Sequence, residues 1–312
     1  MRRLSQIAEL TSLEGPLSLG IGVFDGVHLG HQAVIDCTLA SARKAGGTPV
    51  IVTFDPHPAR VLRPDNPPRL LTSTSHKLQL LGACGVENVL LVKFDAHFAS
   101  QSPADFIRLL AAHSQKLHAI CVGEDWAFGK NRSGNVDFLR KEGCELGFSV
   151  VAVPPVKLSG EIVSSTLVRR AVEAGELDRA AQFLGRPYTI LGTVVSGAQL
   201  GRTLGFPTAN LSAHNEQFPP NGVYAIEAQV GSTVQQGVAN IGVRPTVENA
   251  APGRLLEVHL FDFAEDLYGQ DIEVSFAAAL REEKKFANLD ELRAQIALDA
   301  QSARHFFETR KT

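Results

Sequence analysis

Gly22-Val23-Phe24-Asp25-Gly26-Val27-His28-Leu29-Gly30-His31 follows an apolar run that begins at Leu17, and a helical pattern follows it in turn. A strand therefore hands over to a helix here, and the free N–H groups and positive dipole end of the helix's first turn face the connecting loop. An anion belongs at such a place. His28 and His31 beside those amides can grip an ATP triphosphate and stabilise the charge that grows on a phosphorus under attack, without any protein nucleophile. The plainer alternative is a helix start with an incidental His28 and glycines that serve only the turn. Gly26 and Gly30 weigh toward the ligand, because they let backbone approach it closely. A dinucleotide fingerprint does not fit: Gly20 and Gly22 are followed by Asp25 where a third glycine is needed. Nor does the chain contain a GxxxxGK[ST] phosphate loop.

The bounds set by composition are ordinary. With 312 residues, and roughly 150 residues per domain as a prior, two domains are expected. Hydrophobic residues make up 44% and charged residues 20%, and 30 basic against 33 acidic side chains give a net charge of -3 without a block of either sign. Neither a nucleic-acid surface nor a membrane surface is predicted. Cys37, Cys84, Cys121 and Cys144 form no CxxC pair, which points to reduced thiols and a cytoplasmic location. No leader pattern is visible, and no apolar run approaches the roughly 20 residues of a membrane span.

The first part of the chain alternates strand and helix patterns. Strands are expected at Leu17–Phe24, Val50–Phe54, Val89–Phe94, Ala119–Val122 and Phe148–Val153, and helices at Gln32–Ala45, His76–Cys84, Pro103–Leu117 and Val136–Leu146. Continuous apolar strands separated by helices predict a Rossmann-like parallel sheet covered on both faces, with ligands beyond the carboxyl ends of its strands. From Arg186 the texture changes to short alternating strands punctuated by Gly, Pro and Asn: Tyr188–Val195, Val223–Val230, Thr233–Ile241, Arg254–Phe261 and Ile272–Leu280. An antiparallel β-barrel or sandwich follows. A last amphipathic helix, Leu289–Thr309, is expected to cover a barrel mouth or a sheet face. The two domains are residues 1–185 and 186–312.

Two further segments belong with the histidine turn. Gly123-Glu124-Asp125-Trp126-Ala127-Phe128-Gly129 ends a strand at the ligand edge; Trp126 and Phe128 are read as exposed aromatics able to stack on a base or flavin. Lys130 and Arg132 follow within reach of phosphates. Val163-Ser164-Ser165-Thr166-Leu167-Val168-Arg169 opens a helix, with Ser164 or Ser165 as a simple cap. Thr166 and Arg169, three apart on one helix face, can also clamp a triphosphate from the side opposite His28 and His31.

In the second domain, Gly205-Phe206-Pro207-Thr208-Ala209-Asn210 offers a hydroxyl and an amide oxygen two apart, hard ligands of the kind Mg²⁺ takes along with ATP phosphates. A tight turn with Asn210 bonding its own backbone is the alternative. In Leu255-Leu256-Glu257-Val258-His259-Leu260 the strand period puts Glu257 and His259 on one face and Leu256 and Val258 on the other. A Glu257 carboxylate facing a barrel mouth can accept the proton of an attacking alcohol.

GVFDGVHLGH resembles the HxGH signature of the nucleotidylyltransferase superfamily, and its wording is similar to that of the bacterial bifunctional riboflavin kinases/FAD synthetases. GEDWAFGK and VSSTLVR resemble that family's other nucleotide motifs, in the right order. Gly201-Arg202-Thr203-Leu204, the PTAN run, Asn221-Gly222-Val223-Tyr224, Gly237 to Thr246 with Asn240 and Arg244, Glu257 and Asp266-Leu267-Tyr268-Gly269 resemble its riboflavin kinase module. Essentially the whole chain is covered. The resemblance implies an FMN adenylyltransferase domain followed by a flavokinase barrel, with riboflavin, FMN and ATP as small-molecule substrates. It implies adenylyltransferase contacts from Gly22, Phe24, Asp25, Gly26, His28, His31, Gly123, Asp125, Phe128, Lys130, Arg132, Ser164, Ser165, Thr166 and Arg169. It implies kinase contacts from Gly201, Arg202, Gly205, Pro207, Thr208, Asn210, Asn221, Tyr224, Asn240 and Arg244, with Thr208 and Asn210 holding MgATP and Glu257 as general base. Val23 and Val247 depart from the family, where Asn and an aromatic are common. A nucleotidylyltransferase for another phosphorylated acceptor and a flavin-storage protein are the competing readings, and the oligomeric state stays open between monomer and transient oligomer.

Overall fold

The computed structural model describes residues 1–196, 205–243 and 254–310. They fall into two units, Met1–Arg69 with Thr74–Ser165, and Leu70–Ser73 with the chain from Thr166 onward. In the first unit the order is β1 (Arg2–Leu4), β2 (Leu17–Ile21), α1 (Leu29–Ala45), β3 (Thr48–Asp55), α2 (Pro58–Leu62), α3 (Thr74–Ala83), β4 (Asn88–Lys93), α4 (Ala96–Ala99), α5 (Pro103–Ala112), β5 (Leu117–Gly123), α6 (Val136–Leu146) and β6 (Ser149–Val153). A small hairpin, β7 (Lys157–Leu158) and β8 (Glu161–Ile162), follows.

Strands β1 to β6 make one parallel sheet in the order β1-β4-β3-β2-β5-β6. From β2 the chain builds outward through β3 and β4 on one side and through β5 and β6 on the other. The carboxyl ends of β2 and β5 therefore flank the switch point, the usual crevice for a nucleotide in such sheets. Both faces are covered, which is why the strands read as unbroken apolar runs. Leu19, Val52, Leu90 and Ile120 enter one core, whereas Ile51, Val89 and Cys121 enter a second core with Val34 and Ile35 of α1. Burial of each such aliphatic side chain contributes about 1.5–3 kcal/mol. At Gly20 a Cβ would lie 2.4 Å from the Thr38 hydroxyl oxygen, so α1 can lie this close to β2 only because the residue is glycine.

Most boundaries move by one to three residues from those the periodicity suggests. α5 stops at Ala112, well short of Leu117, because Leu117 already belongs to β5. β1 has no counterpart in the sequence pattern: three residues that begin with two arginines carry no strand period, and pairing with β4 creates the strand.

In the second unit, α7 (Ser165–Glu173) and α8 (Leu177–Leu184) lead to β9 (Thr189–Val195), β10 (Ala209–Ala213), β11 (Gly222–Val230), β12 (Thr233–Val243), β13 (Arg254–Leu260), β14 (Asp271–Glu282) and a final helix, α9 (Leu289–Arg310). The strands close into an antiparallel barrel in the order β10-β13-β12-β11-β14-β9. β10 begins inside the PTAN run, where no strand is expected from the pattern, and it is what closes the barrel. α9 covers a sheet face rather than a mouth. Its Ala300, Ala303 and Phe307 pack on Ala225, Val238 and Phe261, on the outside of the barrel wall. No helix among the described residues is long and apolar enough to cross a membrane.

Candidate functional site

β2 ends at Ile21, and the chain then turns sharply before α1. Phe24 and Val27 have φ of 55° and 41°, and Gly26 has φ of 81°. Left-handed backbone at a phenylalanine and a valine costs free energy and persists only where the surroundings impose it, a pattern that concentrates at functional sites. Gln32 holds the turn from the helix side by donating to the Val27 carbonyl at 2.9 Å.

His28 is the N-cap of α1 and is buried, at 6% exposure. Its Nδ1 accepts the backbone N–H of His31 at 3.3 Å, and the two rings stack 3.6 Å apart at 18°. A neutral imidazole that accepts at Nδ1 carries its hydrogen on Nε2. Gly30 leaves the imidazole room, since a Cβ there would meet His28 Cε1 at 3.2 Å and push it by a few tenths of an ångström. Phe24 packs edge-on against His31 with centroids 5.2 Å apart. Buried Asp25, at 4% exposure, offers its backbone carbonyl to the Ser165 hydroxyl at 2.9 Å. Ser165, the first residue of its helix, thus spends its O–H on the turn.

Across the switch point, Gly123 ends β5, and Asp125, Lys130 and Arg132 are exposed. Phe128 departs from expectation: it is buried, at 8% exposure, and packs against Phe106 and Phe138. Trp126 is stacked on it at 4.1 Å and is half-buried. The core claims Phe128 because the strand end and α6 converge there, so Trp126 is the aromatic left with an accessible edge. Ser164 lies just before α7, whereas Thr166 and Arg169 lie on that helix and belong to the second unit.

In the barrel, cross-strand register assembles residues far apart in sequence. Glu257 on β13 stands directly opposite Asn210 on β10 and opposite Asn240 on β12. Directly paired residues share a face, so the carboxylate is flanked by two amides. Leu256 and Val258, fully buried, fill the barrel interior, which puts Glu257 on the outer wall and not in the mouth. Burial pushes the Glu257 carboxyl above its usual range. His259, two residues on, bonds the Pro207 carbonyl through Nδ1 at 2.8 Å and packs against Phe206 at 5.6 Å. That contact ties the segment carrying Thr208 to the strand carrying Glu257.

A cavity of about 500 Å³ opens at one end of the barrel, lined by Val194, Pro207, Thr208, Val258, Leu260 and Tyr268 among others. Asn221 donates to Glu283 at 3.2 Å, and its buried Oδ1 has no hydrogen-bond partner among the described residues. Tyr224 points inward instead: it is buried at 3%, packs on Phe276 and gives its hydroxyl to the Pro220 carbonyl. That bond braces the turn that carries Asn221. Gly205 is exposed just ahead of Phe206. Gly201, Arg202, Arg244 and Val247 lie outside the described residues.

Among the described residues no three His, Cys, Asp or Glu side chains converge as a metal cage. Asn210 and Glu257, paired across β10 and β13, and Thr208 two residues before Asn210 are sparse, hard oxygen donors. Such a set suits a cation that keeps waters and takes substrate phosphates for the rest of its shell.

Residues 11–167 match the FAD synthetase family and residues 184–307 match the riboflavin kinase family. A bifunctional riboflavin kinase/FMN adenylyltransferase from Escherichia coli (strain K12) is 43% identical over 93% of this chain and 92% of its own length. The chain belongs to the bifunctional riboflavin kinase/FMN adenylyltransferase family. A Bacillus subtilis relative of the same description is 38% identical over 94% of this chain and 93% of its own. A crystal structure described as a macrolide-efflux protein from Streptococcus pneumoniae superposes with a TM-score of 0.83 at 27% identity, covering 97% of this chain and 99% of that one. Its efflux description stays with that protein.

Within this member of the bifunctional riboflavin kinase/FMN adenylyltransferase family, two residues near the histidine turn carry no motif that marks them. Thr53 and Lys77 both donate to the Val23 carbonyl, at 3.0 and 3.3 Å. Neither has a sequence signal, for one is a polar residue inside an apolar strand and the other a lysine on an ordinary helix.

Proposed function

We propose that this chain makes FMN from riboflavin and ATP at the barrel, and FAD plus pyrophosphate from FMN and a second ATP at the parallel-sheet unit. We take residues 1–185 as the adenylyltransferase and 186–312 as the kinase, a boundary near the start of the riboflavin kinase match at residue 184. The observation that carries the reading is the coexistence in one chain of a histidine-capped, strained switch-point turn and of Glu257 flanked by Asn210 and Asn240.

At the barrel, the terminal hydroxyl of the ribityl chain gives its proton to Glu257 as its oxygen attacks the γ-phosphorus, and ADP leaves. The raised proton affinity of Glu257 makes it the stronger base. Asn210 and Asn240 orient that carboxylate and the hydroxyl it serves. Mg²⁺ bound with ATP would take oxygens from Thr208 and Asn210 and neutralise phosphate charge.

At the switch point the FMN phosphate is already anionic and attacks the α-phosphorus directly, so no base is required. His28 Nε2–H and the first-turn amides of α1 stabilise the charge on the phosphorus and on the departing pyrophosphate. His31 stacks on His28 and keeps its ring in place. Lys130 and Arg132, exposed across the crevice, supply further positive charge. ATP as donor and four free cysteines accord with a cytoplasmic enzyme.

Incubating the chain with riboflavin, ATP and Mg²⁺, and separately with FMN in place of riboflavin, tests this by chromatography of the flavins. FMN and FAD in the first reaction and FAD in the second are expected. FAD only from supplied FMN would remove the kinase assignment, and FMN alone would remove the adenylyltransferase assignment.

A further inference from the structure

We infer that Lys77 is a positioning residue for adenylyl transfer: its ammonium clamps the histidine turn to the end of β3 and thereby holds His28 in its working position. The inference rests on the assignment of adenylyl transfer to that turn.

Lys77 sits on α3, away from the histidine motif in sequence, yet it is only 6% exposed. Its Nζ donates to the Val23 carbonyl at 3.3 Å and to the Phe54 carbonyl at 3.1 Å. Val23 opens the turn after β2, and Phe54 lies at the carboxyl end of β3. One cation thus ties together the two chain segments that leave adjacent strands at the ligand edge of the sheet. The Val23 carbonyl also receives the Thr53 hydroxyl, so both ties converge on the residue immediately before Phe24, where the left-handed backbone begins. Strain of this kind survives only when the surroundings over-determine it, and Lys77 is the charged member of those surroundings.

The charged groups facing the ammonium are Asp25, from the turn itself, and Asp55, from the end of β3. Asp55 is in turn held by the Thr74 hydroxyl at 2.7 Å, on the same helix as Lys77. Buried lysines are expensive unless compensated, and this one has two carbonyl acceptors and the field of two carboxylates. Burial still outweighs the two carboxylates and pulls the Lys77 ammonium down to about 8. The clamp is therefore charged at neutral pH and discharges in mildly alkaline solution. Loss of its charge removes the cation whose field favours both the Asp25 and the Asp55 carboxylates.

The test uses the full chain with Lys77→Met, which keeps the aliphatic stem and removes the ammonium. The kcat for FAD formation from FMN is expected to fall about 30- to 100-fold, as a misplacement of roughly an ångström at the reacting groups produces. Riboflavin phosphorylation by the same preparation should stay within about twofold, since sites that share no partner behave independently. Wild-type FAD formation should show an alkaline limb near pH 8 that the variant lacks; a purely structural lysine would not create that limb. Hydrogen exchange gives a readout that needs no turnover. In the wild type, after correction for intrinsic rates, the peptide spanning residues 22–31 should lose about tenfold of its protection between pH 7 and 9.5, while α6 does not.

FAD formation by Lys77→Met within about threefold of wild type, or an unchanged alkaline limb in that variant, overturns the inference. So does constant protection of residues 22–31 across the pH range, which decides the matter even if the variant does not fold. A wild-type chain that makes no FAD defeats the adenylyltransferase assignment instead, and the exchange measurement then judges the clamp separately.

Discussion

His28 accepts the backbone N–H of His31 through Nδ1 at 3.3 Å and lies under the His31 ring at 3.6 Å. One side chain therefore caps the helix and, when neutral, carries its hydrogen on Nε2, the donor proposed for a phosphate. His28→Ala should lower FAD formation from supplied FMN by about 10²–10³, the usual cost of one transition-state donor. Loss of the cap should also cost about 1 kcal/mol of stability. FMN formation from riboflavin serves as the control; its loss in a folded variant would refute the division of labour.

Gly30→Ala tests the same geometry without touching a functional group. The new Cβ would sit 3.2 Å from His28 Cε1, so the imidazole must shift by a few tenths of an ångström. We expect about a tenfold fall in kcat for FAD formation with little change in melting temperature. Unchanged turnover would mean that the position of His28 is not critical.

Glu257→Gln should reduce riboflavin phosphorylation by about 10²–10⁴ and leave FAD formation from FMN intact. Burial raises the Glu257 pKa, so FMN formation should lose activity toward acid at a pH above the ordinary carboxylate range. The stability sign is opposite to that of an ion-paired acid. The native state binds this proton more tightly than the unfolded chain, so stability declines as pH rises from the ordinary value through the raised one. The glutamine variant should therefore melt slightly higher than wild type at neutral pH, which thermal unfolding will show.

Arg281 grips Asp299 of α9 through two bonds, at 2.8 and 2.7 Å, and Asp299 is 6% exposed. Asp299→Ala leaves a partly exposed guanidinium without its carboxylate, though still bonded to the Glu282 carbonyl, and should cost about 1–3 kcal/mol. Calorimetry should show that loss. A change under about 1 kcal/mol would mean that water replaces the carboxylate, as it does at exposed pairs.

Thiol reactivity should follow burial. Cys144 is exposed, whereas the Cys121 thiol is buried and pushed up to about 12, with Cys37 Sγ 3.5 Å away. Iodoacetamide at neutral pH should label Cys144 first and Cys121 last, as peptide mass spectrometry can follow.

Much of this protein is written locally. Apolar runs covered on both faces announce the parallel strands, and the apolar period of Val136–Leu146 marks α6 to the residue. The two-residue period of β13 is enough to set Glu257 on the opposite face from Leu256 and Val258. These features depend on neighbours within a few residues. Which side of that strand is the barrel interior does not, and neither does the strand Ala209–Ala213, whose five residues become a strand by pairing with β9 and β13. Closure sets Asn210 and Asn240 beside Glu257, because register is a relation between distant segments. Packing likewise turned Phe128 into core, and it buried Lys77 against two carbonyls where a helix lysine ordinarily meets water. Sequence alone determined the chemistry available, the two domain types and the family resemblance. Tertiary structure decided which groups meet and which are desolvated, since burial and cross-strand contact are set by the whole fold.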